Sequence, residues 1–203
     1  MISVILSNAK NLPFRILKIL RPAGLRMTLQ FILFTCLFFN YACFFGGGKH
    51  SGRVKGYSHG VVITQVGRYK VGPLGKAWTR KHYIGGAITF YNRETHASIS
   101  TQSYCDQATA DIGLEFLIKD FFYGLTNLKT LYRHEFILDG REALRLRYSG
   151  KLDGMPALVD AVSVKKNQCL IDFYLVSSPE AYSQNVASFE DFFKGFTLLE
   201  KRE

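Results

Sequence analysis

The sequence predicts an α+β domain built around a mostly antiparallel sheet. Asp139-Gly140 and Asp153-Gly154 are type I′ hairpin signals, because both positions tolerate a positive φ and each dipeptide lies between strand-like runs. Lys166-Asn167 separates two further runs, so residues 136–177 are predicted to form an antiparallel meander. Amphipathic helical patterns precede and follow the meander, and they supply the α part of the class.

The second meander strand has two chemically different faces. Strand alternation places Leu144, Leu146 and Tyr148 on one side. It places Arg141, Arg145 and Arg147 on the other. We expect the first side to be core and the second to be a basic face. The arginines are candidate binding residues for an acidic partner or lipid headgroups, but such a row is more often a solvated or salt-bridged sheet face.

The N-terminal segment has the features of an export signal. The chain has 203 residues, and residues 31–39 form an apolar run that is too short for a comfortable membrane span but suits a signal peptide. Ala42-Cys43 then resembles the lipobox of bacterial lipoproteins, which implies cleavage before Cys43 and a lipid on that cysteine. The prediction is a signal peptide at 1–42. The alternatives are an uncleaved anchor, or a true start at Met27 with 1–26 misassigned.

A glycine-rich stretch follows the lipidation site. Gly46, Gly47, Gly48 and Gly52 favour neither helix nor strand, so 43–59 is predicted to be the lipidated cysteine and a flexible tether, and 60–203 a single domain. The resemblance implies a cell-envelope protein, and Phe44 in place of an inner-membrane retention aspartate implies the outer membrane facing the periplasm. The expected partners are the membrane, through the lipid, and another envelope protein.

The charge balance argues against a nucleic-acid partner. The formal net charge is +10, but five of the 26 basic residues and no acidic residue lie before residue 43. The remaining 21 basic and 16 acidic residues give a net charge of +5. Part of the basicity is therefore signal charge, and no nucleic-acid partner is predicted.

The domain elements can be assigned in order. Strand-like runs lie at 61–64, 68–71, 87–91 and 97–101. Apolar residues at three- and four-residue spacing predict one long helix over 110–125. A last amphipathic helix is predicted to begin near Pro179, which gives up only an amide without a helical partner, and to end near Gly195.

Two cysteines fall inside the domain, Cys105 before the predicted long helix and Cys169 at the start of a core strand. In an exported protein such a pair favours a disulfide, whereas in the cytosol it would more often be two buried thiols. A bridge between them would close a long loop and add roughly 2–4 kcal/mol of stability.

Three short motifs together resemble bacterial lipoproteins with the PsbP-like fold. They are Gly72-Pro73-Leu74-Gly75-Lys76-Ala77-Trp78, Leu138-Asp139-Gly140-Arg141-Glu142-Ala143 and Phe189-Glu190-Asp191-Phe192-Phe193-Lys194-Gly195-Phe196. The resemblance covers roughly residues 60–199. It implies an α/β/α sandwich around a mostly antiparallel sheet and a binding role rather than catalysis. The motifs mark turns and packing, so they assign no functional residue.

No local motif predicts catalysis. Trp78 with Arg80 and Lys81 mixes an aromatic ring with cations, a combination that can stack on nucleotides or sugars, although a core-edge tryptophan beside solvated cations is the simpler interpretation. The histidine spacing matches no metal motif, so no metal or cofactor is predicted.

The favoured function is therefore a lipid-anchored, non-catalytic binding or scaffold protein of the cell envelope. Two alternatives remain. One is an envelope hydrolase or transferase whose site is dispersed over residues such as His82, His134 and Asp160. The other is a carrier of a small apolar ligand between sheet and helix, which the 17 phenylalanines would favour.

Overall fold

The computed structural model describes residues 53–81, 86–105 and 112–199, which all lie in one compact unit spanning Lys49–Glu203. The predicted signal peptide, Cys43 and His82 lie outside the described residues. The strands are β1 (Val54–Ser58), β2 (Val61–Thr64), β3 (Arg68–Lys70), β4 (Trp78–Arg80), β5 (Ile88–Asn92), β6 (Ser98–Cys105), β7 (Leu125–Leu138), β8 (Arg141–Leu152), β9 (Met155–Lys166), β10 (Cys169–Ser177) and β11 (Thr197–Leu199). The helices are α1 (Leu114–Ile118), continued by a 3-10 segment (Lys119–Phe122), and α2 (Tyr182–Lys194). No helix among the described residues is long and apolar enough to cross a membrane.

The strands form two antiparallel sheets. The smaller sheet has the order β1-β2-β3-β11, and the larger has the order β4-β5-β6-β10-β9-β8-β7. The meander over β7 to β10 is confirmed, and its turns use a positive φ at Asp139-Gly140, Asp153-Gly154 and Asn167-Gln168. The predicted α+β class with a mostly antiparallel sheet is therefore confirmed.

Both faces of the larger sheet bury apolar residues. On the first face, Val162 and Phe173 pack with phenylalanines of α2 and with Tyr69 of the smaller sheet. On the second face, Leu146 and Ala161 pack with apolar residues of α1 and the 3-10 segment. The expected division into one core face and one basic face is therefore wrong, because the arginine face of β8 also lies under α2.

The α/β/α sandwich is not confirmed in detail. Strand accounts for 58% of the residues that the structure describes and helix for 15%. The first face is covered by α2 together with the smaller sheet, and α1 on the second face has only five residues. The layers on the two faces are thus unequal.

The long helix predicted over 110–125 is wrong. Helix α1 ends at Ile118, the 3-10 segment ends at Phe122, and β7 begins at Leu125. Gly124 has a φ of +90°, which reverses the chain there, and the residues that follow pair with β8. The apolar spacing that indicated a helix is still used, since Ile118 and Phe122 are both buried against the sheet.

The remaining differences are short strands. β1 lies within the segment predicted as tether, so the ordered chain begins earlier than residue 60, and β4 and β11 have only three residues each. The last helix ends at Gly195 as predicted. Here Gly72 donates a backbone hydrogen bond to Phe192 at 2.9 Å, and a Cβ on either glycine would overlap backbone atoms of the other segment. Both glycines are therefore needed for this close approach.

Candidate functional site

The most concentrated polar chemistry in the described structure lies between α2 and the first face of the larger sheet. We call it the Arg145 cluster, and its members are Arg145 and Arg147 on β8, Asp160 on β9, and Tyr182 and Glu190 on α2. Arg147 and Asp160 are directly opposite in the β8–β9 pairing, and strand alternation puts Arg145 on the same face. The fold therefore brings these side chains together from three elements.

Asp160 is the centre of the cluster and is fully buried. Arg145 donates to both of its carboxylate oxygens, from Nε at 2.9 Å and from an Nη at 2.8 Å. Arg147 Nε donates to Oδ2 at 3.0 Å, and the Tyr182 hydroxyl donates to the same oxygen at 2.6 Å. A buried carboxylate is costly unless it is paired and hydrogen-bonded, and these four bonds meet that requirement.

A second carboxylate joins the cluster from α2. Arg145 donates to Glu190 at 2.9 Å, and Lys194 donates to the other oxygen of Glu190 at 2.7 Å. Glu190 is partly exposed, whereas the Arg145 side chain is only 8% exposed. The guanidinium of Arg145 therefore links a strand carboxylate to a helix carboxylate.

Aromatic rings surround the two guanidinium groups. Arg147 lies 4.4 Å from the ring centroid of Tyr182 and 5.1 Å from that of Tyr132 on β7. Arg145 lies 5.4 Å from Phe193 and 5.8 Å from Phe189, both on α2. Cation–π contacts of this kind add to the ion pairs, and they hold the arginines where α2 crosses the sheet.

The protonation states of the cluster follow from burial and from the bonds. Burial works to lower the pKa of Arg145. The hydrogen bonds to Asp160, the negative charge of Asp160 and the hydrogen bond to Glu190 outweigh burial and raise this pKa above its ordinary value. Burial and the bond to Asp160 raise the pKa of Tyr182. Bonds from Lys194 and Arg145 lower the pKa of Glu190. The arginine stays charged and the tyrosine stays a hydroxyl donor at neutral pH.

This arrangement is better suited to holding the fold together than to chemistry. The oxygens of Asp160 are already occupied by four donors, so it has little capacity to act as a general base. Arg147 is the more accessible arginine, with a side chain that is 21% exposed between two tyrosine rings. It is the point at which the cluster reaches solvent.

The structure does not bring the predicted binding residues together. Trp78 and Arg80 lie on β4, with Lys81 just beyond it, at one edge of the larger sheet, whereas β8 is next to the opposite edge. Arg80 donates to the carbonyl of Tyr57 at 2.9 Å, and Lys81 lies 5.3 Å from the ring of Tyr91. Arg141 is exposed at the start of β8. The six residues are thus two separate groups, and their binding roles stay predictions.

The dispersed catalytic site is also divided. His134 on β7 is opposite Arg145, so it shares the face of Asp160, but β8 lies between the two strands. His134 stacks on Phe136 at a centroid distance of 5.8 Å, and Asp160 is occupied by the bonds given above. His82 lies outside the described residues. The structure therefore shows no hydrogen-bonded pair between His134 and Asp160.

The sequence pattern missed the helix side of the cluster. Asp160 interrupts the apolar run 157–164, and a carboxylate in such a run signals a buried, paired acid. Tyr182 and Glu190 carry no comparable local signal, because only the tertiary position of α2 brings them to the arginines.

The predicted disulfide is present. Cys105 on β6 lies directly opposite Cys169 on β10, and the two are bonded with a Cα–Cα distance of 4.0 Å. The bond links residues 64 positions apart. It fastens the two central strands of the larger sheet, which matches the sequence-based expectation.

The comparisons with known proteins concern the fold. No family model and no curated protein matches the chain. It is similar to the solution structure of PsbP from the cyanobacterium Synechocystis (14% identity, TM-score 0.47, 76% of this chain and 96% of that one). It is also similar to PA94 of Pseudomonas aeruginosa, a protein of unknown function (13% identity, TM-score 0.46, 75% of this chain and 100% of that one).

A third similar structure is LpqN, involved in cell envelope biogenesis of Mycobacterium tuberculosis (12% identity, TM-score 0.47, 66% of this chain and 86% of that one). PsbP is thus among the structures that this chain resembles, as the sequence motifs predicted. At these identities and TM-scores the likeness assigns no activity, ligand or partner to this chain.

Proposed function

We propose that the protein is a lipid-anchored protein of the cell envelope whose domain is a non-catalytic binding or scaffold module. Its anchor is a lipid on Cys43, its location is the outer membrane facing the periplasm, and its partner is another envelope protein. The domain itself is an α/β/α layered variant of the PsbP-like fold.

The Cys105–Cys169 disulfide is the observation that carries the location. Disulfides persist in oxidising compartments such as the bacterial periplasm and are rare in the cytosol. The bond joins residues that lie directly opposite each other on two adjacent strands of the larger sheet. An exported protein whose leader is cleaved just before a cysteine accounts for both the bond and the N-terminal sequence.

The Arg145 cluster supports the non-catalytic role. Its carboxylate at Asp160 is consumed by structural hydrogen bonds, and its arginines are paired. A module of this kind offers a rigid surface, which suits recognition of another protein.

The anchor is tested by metabolic labelling of the full chain with palmitate. Cys36 lies inside the apolar run 31–39 and serves as the control. We expect label in the parent and in Cys36→Ala, and no label in Cys43→Ala, which should also leave the membrane fraction. Equal labelling of Cys43→Ala, or no label in the parent, would remove the anchor from the proposal.

The compartment is tested separately by gel mobility under non-reducing conditions. We expect the native chain to run faster than after reduction, and a Cys105→Ser/Cys169→Ser variant to show no such difference. A native chain whose thiols are free in cells contradicts the envelope location. If the parent takes up no palmitate but its disulfide is formed, the protein is exported without a lipid.

A further inference from the structure

The outer edge of β7 is the largest unpaired backbone surface of the larger sheet. β7 has 14 residues and is last in the strand order, and among the described residues no strand pairs with its other side. Most of its side chains are exposed. Long exposed edges invite pairing with another strand, and proteins usually shorten or block them.

The C-terminal half of this edge is regular. From Tyr132 to Leu138 the pairing with β8 runs without interruption, and both irregularities in β7 lie before Tyr132. In a regular antiparallel strand, alternate residues turn both their N–H and C=O groups to the free side. This half of β7 therefore presents a regular row of donors and acceptors.

The side chains of this half are self-complementary about His134. Arg133 and Glu135 flank it with opposite charges, and Tyr132 and Phe136 follow as two aromatic residues. In an antiparallel pairing centred on His134, each residue lies opposite the residue at equal distance on the other side. Arg133 would then lie opposite Glu135 of the second copy, and Tyr132 opposite Phe136.

The charged side chains that this pairing uses are accessible, whereas Phe136 is half-buried. Arg133 is 49% exposed and Glu135 is 68% exposed. Beyond the aromatic pair, Ile137 and Leu131 would also lie opposite each other, and both are exposed apolar side chains. Opposite-charge and apolar cross-strand pairs stabilise a sheet, so the same register satisfies both kinds of contact.

We propose that β7 is a dimerisation edge that takes the β7 strand of a second copy of this chain. The two strands pair antiparallel about a two-fold axis at His134, and the larger sheets of the two copies become one continuous sheet. A two-fold interface requires a self-complementary surface, which the charge pattern about His134 provides. This goes beyond the proposed anchor and does not depend on it.

The register is tested by a cysteine at the axis. In an antiparallel pair, opposite Cα atoms are about 4.5–5.5 Å apart, which suits a disulfide. We expect a His134→Cys variant of the full chain to form a reducible covalent dimer under mild oxidation, and a Lys129→Cys control to form no more than the parent. Equal cross-linking of both variants, or none with His134→Cys, overturns the proposal.

The charge pairing is tested by swapping its members. Arg133→Glu and Glu135→Arg each place like charges opposite each other, and we expect each to weaken dimerisation by roughly tenfold or more in sedimentation experiments on the full chain. The double variant should restore it. Circular dichroism should show the fold unchanged in all three. A parent that stays monomeric, or single variants that dimerise like the parent, contradicts a second copy as the occupant.

Discussion

Two arginine–carboxylate pairs on neighbouring strands of the sheet have similar distances and opposite surroundings. Arg145 and Asp160 lie 2.8 Å apart with side chains that are 8% and 0% exposed. Arg133 and Glu135 lie 2.6 Å apart with side chains that are 49% and 68% exposed. The distance alone would rank the second pair at least as strong.

Burial reverses that ranking. Removing one partner of a buried pair leaves an uncompensated charge away from water, which is strongly destabilising. Exposed pairs are screened by solvent and contribute little. The first pair therefore has a structural role, whereas the second is available to meet another molecule.

The largest expected difference between the buried and the exposed pair comes from removing the buried carboxylate. We expect Asp160→Asn to lower the free energy of unfolding by about 3–5 kcal/mol, because Arg145 then stays buried with only Glu190 as a carboxylate partner. Urea unfolding of dilute protein, followed by circular dichroism, measures the change.

A paired control separates the charge from the shape. The double variant Arg145→Met/Asp160→Leu replaces both charges by apolar side chains, so it should be less destabilised than Asp160→Asn. An Asp160→Asn protein as stable as the parent would contradict the structural role of the buried pair.

The sequence predicts the turns of the meander well and the extent of the exposed strand β7 poorly. Asp139-Gly140 and Asp153-Gly154 determine their turns locally, so the hairpins follow from two residues each. β7 begins at Leu125, eleven residues before the predicted start of the meander at Phe136, because its N-terminal part is held by pairing with β8 rather than by its own pattern. Local signals cannot reveal a strand that depends on its neighbour.

The sequence predicted the strand side of the Arg145 cluster but not its helix side. Alternation correctly put Arg145 and Arg147 on one face of β8, and the salt-bridged interpretation of that face is what the structure shows. The partners on α2 depend on where the helix crosses the sheet, which is a tertiary property. Similarly, the pattern at 110–125 reports apolar contact with the sheet, and this contact does not require one continuous helix.

A third ion pair, of intermediate burial, sharpens the comparison. Lys166 and Asp139 lie 2.6 Å apart with side chains that are 22% and 19% exposed, and Leu198 N–H also donates to Asp139 at 2.9 Å. Burial works to raise the pKa of Asp139, but the bonds from Lys166 and Leu198 lower it below its ordinary 3.8. We expect Asp139→Asn, which tolerates the positive φ of this turn, to lose about 1 kcal/mol at neutral pH.

The pH dependence gives the sign of this effect. A depressed pKa means that the ionised Asp139 stabilises the fold above 3.8, and that this stabilisation is lost as the pH falls through the lower value in the folded state. The difference in unfolding free energy between the parent and Asp139→Asn should therefore shrink as the pH is lowered below 3.8. A difference that is independent of pH would assign the effect to the turn instead of the charge.

The smallest expected effect belongs to the exposed pair. Glu135→Gln removes one of the two carboxylates that contact Arg133, since Glu115 remains at 3.4 Å, and it is the counterpart of Asp160→Asn on a solvent-facing strand. At concentrations where the chain is monomeric, its urea midpoint should equal that of the parent within error, because water takes the place of the lost carboxylate at the exposed Arg133, which also keeps its contact with Glu115. A loss approaching that of Asp160→Asn would show that burial is not what distinguishes the two pairs, and that the edge of β7 supports the monomer.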